Sequence, residues 1–115
     1  MVTAEDFRRI ALGLTGAAES AHMSHPDFRI NGRIFATLHH DMKWCMVKVS
    51  PAEQQDLVRA APAAFAPEKG AWGLQGCTAV RLDAVDEETL GEALTLAARG
   101  AAASPAARSR TKKRR

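Results

Sequence analysis

A chain of 115 residues, 46% of them hydrophobic, can fold as one domain around a modest core and lacks the length for two. Its net charge of +3 is uneven: seven of the sixteen basic residues stand from Arg99 onward with no acidic one, leaving residues 1–98 with nine basic and thirteen acidic, a net −4. Two isolated cysteines, an acidic start and no run of about 18 apolar residues exclude a disulfide framework, a secretory signal and a membrane-spanning helix, so a cytoplasmic protein with reduced thiols is expected.

Val2-Thr3-Ala4-Glu5-Asp6-Phe7 carries helix-start signals: Thr3 can cap, Glu5 and Asp6 favour the positive end of the dipole, and Val2 can staple onto Phe7. Phe7, Ile10, Ala11 and Leu14 recur at helical spacing, which predicts an amphipathic helix over about 4–14, closed near residues 13–16. A linker with His22 and His25 follows. Asn31-Gly32, the preferred pair for a type I′ turn, then joins two strand-like runs, 28–30 and 33–38. With Ile30 opposite Arg33, Phe28 is expected to face Phe35, and Arg29 to face Ile34. Residues 43–49 form the next strand, with Cys45, Val47 and Val49 inward and Trp44, Met46 and Lys48 on the opposite face.

Ser50-Pro51-Ala52-Glu53 is a capping box with proline at the first helical position, predicting a helix to about residue 60. Residues 61–70, with Pro62 and Pro67, read as an irregular connection around Phe65. Residues 72–74 and 77–82 read as a third hairpin about Gln75-Gly76. Val85 and Leu90 can staple across an Asp86 cap, and Leu90, Ala93, Leu94 and Ala97 give the last helix its buried stripe. The simplest packing is a two-layer α+β domain, an antiparallel sheet with the N- and C-terminal helices on one face, spanning 1–98. Residues 99–115, alanine-rich and basic, hold too little apolar surface to offset ordering entropy and are expected to be a disordered tail.

Leu14-Thr15-Gly16 followed by Glu19, the stretch His25-Pro26-Asp27-Phe28-Arg29-Ile30, Gly32-Arg33-Ile34-Phe35-Ala36, Lys48-Val49-Ser50-Pro51 and the segment 72–82 together resemble the MmcQ/YjbR-like family of small bacterial proteins. The resemblance covers roughly residues 7–98. It implies a fold like that of the frataxin-like CyaY proteins and a DNA-binding role through hairpin wings; it carries over no activity or residue-level site. Thr15 stands where many members have proline, and the basic end lies outside the shared domain.

Candidate chemistry is sparse. His22, His25, His39 and His40 could ligate zinc or nickel if their loops converged, but His-x-x-His in a loop lacks the helical spacing of a zincin, so no metal or other cofactor is expected. Cys45 and Cys77 read as small buried hydrophobes rather than nucleophiles. There is no nucleophile elbow, phosphate loop or dinucleotide motif, which points to a non-enzymatic protein. An iron-handling role would need an acidic ridge, whereas Glu5 and Asp6 are followed by Arg8 and Arg9; Asp86-Glu87-Glu88 reads as a helix start.

For nucleic acid, with the sheet and its hairpins docked on a DNA duplex, the candidate contacts are Arg29, Arg33, Lys43, Lys48 and Arg81 on the sheet, with Trp44 or Trp72 available to stack and Arg108, Arg110, Lys112, Lys113, Arg114 and Arg115 of the tail neutralising phosphates. The bland reading of the sheet cations is that they guard its edges against aggregation. A reading from another class is a protein- or small-ligand-binding module using the open face around Trp44, Met46 and Trp72.

Overall fold

The computed structural model describes residues 2–22, 25–39 and 41–103, with backbone alone at 21 and 22. In chain order the elements are α1 (Ala4–Leu12), β1 (Ala18–His22), β2 (His25–Ile30), β3 (Arg33–Leu38), β4 (Trp44–Lys48), α2 (Pro51–Ala60), β5 (Phe65–Pro67), α3 (Gly70–Leu74), β6 (Cys77–Arg81) and α4 (Glu87–Ala103). The strands form one antiparallel six-stranded sheet in the order β1-β2-β3-β4-β6-β5. The fold is therefore α+β, as expected. Among the described residues no helix is long and apolar enough to cross a membrane.

Helix starts follow their sequence signals. Thr3 Oγ1 accepts from the Asp6 N–H while the Asp6 carboxylate accepts from the Thr3 N–H, and Ser50 and Glu53 repeat this reciprocal box on α2. Asp86 Oδ1 accepts from the Thr89 N–H at 2.7 Å to open α4. One sheet face, carrying Phe28, Ile30, Leu38, Cys45, Val47 and Val80, is buried with Leu90, Ala93, Leu94 and Ala97 of α4. Phe7 of α1 meets Phe28 edge-on at 5.1 Å. Both terminal helices thus serve that layer, while α2 and α3 pack at the β5–β6 end.

Several local expectations change. Asn31 (φ 55°) and Gly32 (φ 76°) make the hairpin turn, and Ile30 pairs with Arg33, but a bulge after Arg29–Ile34 inserts Phe35, so Phe28 faces Ala36. Phe28 meets Phe7 in the core, and Phe35 is itself fully buried. Residues 18–22, read as linker, form an edge strand on β2. The segment 72–74, read as a strand, lies in helix α3; β6 instead pairs with β4 and with residues 65–67, which were expected to be irregular. Pro67, without an N–H, sits on the edge strand where none is needed. Helix α4 runs through Arg99 to Ala103 and buries Ala101, so order reaches past residue 98; residues 104–115 lie outside the described residues.

Candidate functional site

Strands present alternate residues to opposite faces, so the face turned away from α4 carries Asp27, Arg29, Thr37, Met46, Lys48, Ala79 and Arg81. The β3–β4 ladder runs from Leu38–Cys45 to Ala36–Val47, and residues 33–35 at the start of β3 lie beyond its end. There an open groove of about 760 Å³ forms, lined by Arg33 and Ile34 of β3, Met46 and Lys48 of β4, Trp72 of α3, and Leu96 and Gly100 of α4.

The position of Trp72 follows from two glycines and a buried amide. A Cβ on Gly73 would lie 1.8 Å from the Glu68 carbonyl oxygen, and one on Gly76 (φ +109°) 1.8 Å from that of Val49, so α3 rests directly on neighbouring backbone. Gln54, 7% exposed, aims Nε2 at the Gly73 carbonyl (3.1 Å), the Cys77 carbonyl (3.0 Å) and Thr78 Oγ1 (3.2 Å); Thr78 in turn donates to the Gly76 carbonyl. The corner between α3 and β6 is thereby fixed, and the indole, on a residue 66% exposed, joins Met46 and Lys48 of β4 in lining the groove.

The expected cations differ in what holds them. Arg29 lines the groove, yet Nε and Nη2 donate to the two Asp27 oxygens at 3.0 and 3.3 Å, and these hydrogen bonds, followed by the attraction of the charges, hold the guanidinium more firmly protonated. Asp27 is 2% exposed, so this pair is built into the face. Arg81 donates to Asp83 at 3.0 Å and lies 5.7 Å from the Trp44 ring centre, covering that indole. Arg33 and Lys48 have no carboxylate partner among the described residues. Glu53 also lines the groove, but Oε1 accepts from the Ser50 N–H at 2.9 Å. Lys43 sits before the opposite end of β4, about 17 Å along the strand from Lys48 by strand rise, and is not part of the groove. Arg108, Arg110, Lys112, Lys113, Arg114 and Arg115 lie outside the described residues.

Of the expected partner surface, Met46 and Trp72 line the groove, while Trp44 is on the same face at its far end. Ile34, Thr37 and Gln54 were not singled out from the sequence. Ile34 had a signal, an isoleucine at outward parity opposite Arg29, and Gln54 had another, a polar residue on the apolar stripe with Leu57 and Val58.

The remaining candidates separate. The His25 and His39 rings approach edge-on at 5.9 Å, and His39 Nδ1 lies 3.2 Å from Asp41 Oδ1. His40 and the His22 side chain are outside the described residues, and among the described ones no three His, Cys, Asp or Glu groups are placed to hold a metal ion. Burial pushes the Cys45 thiol far up, and pushes the Cys77 thiol up more than nearby Lys48 draws it down, so both stay protonated, weak nucleophiles.

The YjbR family model matches residues 12–97. The crystal structure of Deinococcus radiodurans protein DR2400, which carries the family domain DUF419, superposes with a TM-score of 0.68 at 26% identity, over 82% of this chain and 74% of that one. None of the curated proteins matches the chain.

Proposed function

The chain belongs to the YjbR family, and from that premise we propose that it is a non-enzymatic nucleic-acid-binding protein whose groove between β3 and β4 receives the strand while the basic tail neutralises neighbouring phosphates. The observation that carries this reading is the convergence of Arg33 and Lys48, two cations free of carboxylates among the described residues, with the exposed indole of Trp72 on one groove. Cations track a phosphate backbone and an aromatic ring offers a stacking surface. Arg29 and Arg81 shape the face through Asp27 and Asp83 and contribute little net charge to it.

A salt titration of binding to a labelled oligonucleotide tests the proposal, with the full chain, Arg33→Ala/Lys48→Ala, and a chain ending at Ala103. The double substitution is expected to weaken binding roughly tenfold and to flatten the slope of log affinity against log salt by about 1.5, as two lost phosphate contacts require. Unchanged affinity and slope in the double variant, with all binding lost on truncation, would leave the groove without a role.

One observation favours a second reading. The groove is concave and falls within the ~300–1,000 Å³ typical of small-molecule sites, so it also suits an anionic small ligand. A mononucleotide that binds as tightly as an oligonucleotide would select that reading.

A further inference from the structure

We propose that the groove is selective for single-stranded nucleic acid, with an unstacked base laid on Trp72 and the adjoining sugar-phosphate backbone met by Arg33 and Lys48. This rests on the nucleic-acid reading above and specifies the substrate. Three observations separate a single strand from a duplex.

The first is charge. Residues 1–103 hold ten basic and thirteen acidic side chains, so the folded body has no net positive field with which to hold a double helix by phosphate attraction. Two unpaired cations suffice to orient a strand but not to provide the broad electrostatic attraction of sequence-independent duplex binding.

The second is the character of the groove wall. Ile34, Met46 and Leu96 stand beside the two cations, and Ile34 is 37% exposed. A duplex keeps its base faces stacked inside and offers the wall little but phosphates and base edges. A single strand can turn a base face inward and cover this apolar surface, the combination of basic groove and aromatic platform that sequence-tolerant strand binders use.

The third is the state of the two tryptophans. The Trp44 ring already has the Arg81 guanidinium against it, while Trp72 makes no ring or cation contact among the described residues. Its helix is pinned by Gly73, Gly76 and Gln54, so the platform is positioned before any strand arrives.

The test compares an oligothymidylate of about 12 nucleotides with a duplex of the same length, by fluorescence anisotropy, using the full chain and the variants Trp72→Ala and Trp72→Phe. Trp72→Ala is expected to weaken single-strand binding about 5- to 150-fold, the range for loss of one stacked base, and duplex binding less than about twofold, with Trp72→Phe retaining most of the single-strand affinity. Because the indole is largely exposed, far-ultraviolet circular dichroism of both variants should match the native chain. Equal loss on both substrates, or no loss on the single strand, overturns single-strand selectivity; the groove reading then stands if Arg33→Ala/Lys48→Ala still weakens binding. Absence of binding to either substrate by the native chain overturns both.

Discussion

Gln54 shows how a residue that touches no ligand can set a site. Its amide faces three acceptors around the α3–β6 corner, two of them backbone carbonyls. Leucine in its place would fill a similar volume and remove the amide while the two carbonyls keep the N–H groups of Gly76 and Glu68, so Gln54→Leu is expected to lower stability by about 0.5–1.5 kcal/mol in urea unfolding. It should also weaken oligonucleotide binding, since α3 would no longer be fixed at the groove; a variant as stable as the native chain would refute this role. At the same scale, Arg33, Lys48, Met46 and Trp72 were visible as types suited to a strand-binding face. Arg29 and Arg81 both read as nucleic-acid contacts by type; Asp27 and Arg29, two residues apart on β2, share a side of the strand and so left a trace of their pairing, whereas Asp83 lies in the turn after β6, where no strand parity points it at Arg81. What the sequence concealed was the convergence of residues 33, 48 and 72, which depends on where β3 and β4 part.

Among the elements, the helices that cap themselves were the readable ones. Asp6 is held below the ordinary carboxylate range chiefly by the backbone N–H of Thr3, and Asp86 by that of Thr89. A depressed folded value means these carboxylates stabilise the fold above the unfolded value of about 4 and lose that contribution as pH falls through the lower folded value. Asp6→Asn/Asp86→Asn keeps capping oxygens and removes the charges, so its stability at neutral pH should be lower and its decline below about pH 4 shallower than in the native chain. Parallel acid limbs in urea unfolding at stepped pH would contradict this account. The elements that escaped sequence reading are those whose form is imposed by neighbours. Ala-Glu-Ser-Ala-His has little intrinsic strand character and becomes β1 by pairing with β2. Trp72 reads as strand by type, yet Gly73 and Gly76 let α3 press on the backbone of residues 68 and 49, a contact no local pattern records.

For the whole molecule the charge asymmetry and the groove form one arrangement. The last turn of α4 supplies Gly100 and Ala101 to the groove lining, and Asn31 Nδ2 donates to the Ala102 carbonyl at 3.4 Å, so the described chain ends at the rim. Six basic residues follow Ala103, the first of them, Arg108, within at most ~18 Å by covalent reach. A strand in the groove would therefore meet them at high effective concentration. The acidic body and basic end were plain from the sequence; their meeting place was not, because it depends on α4 continuing past Arg99. The central claim is that the β3–β4 groove is where the nucleic acid sits. Its most direct test is a two-dimensional amide and indole shift map of the full chain titrated with an oligothymidylate. Shifts centred on Arg33, Ile34, Met46, Lys48 and the Trp72 indole N–H are the expected result; shifts confined to residues 104–115, or to the outer faces of α1 and α4, would contradict it.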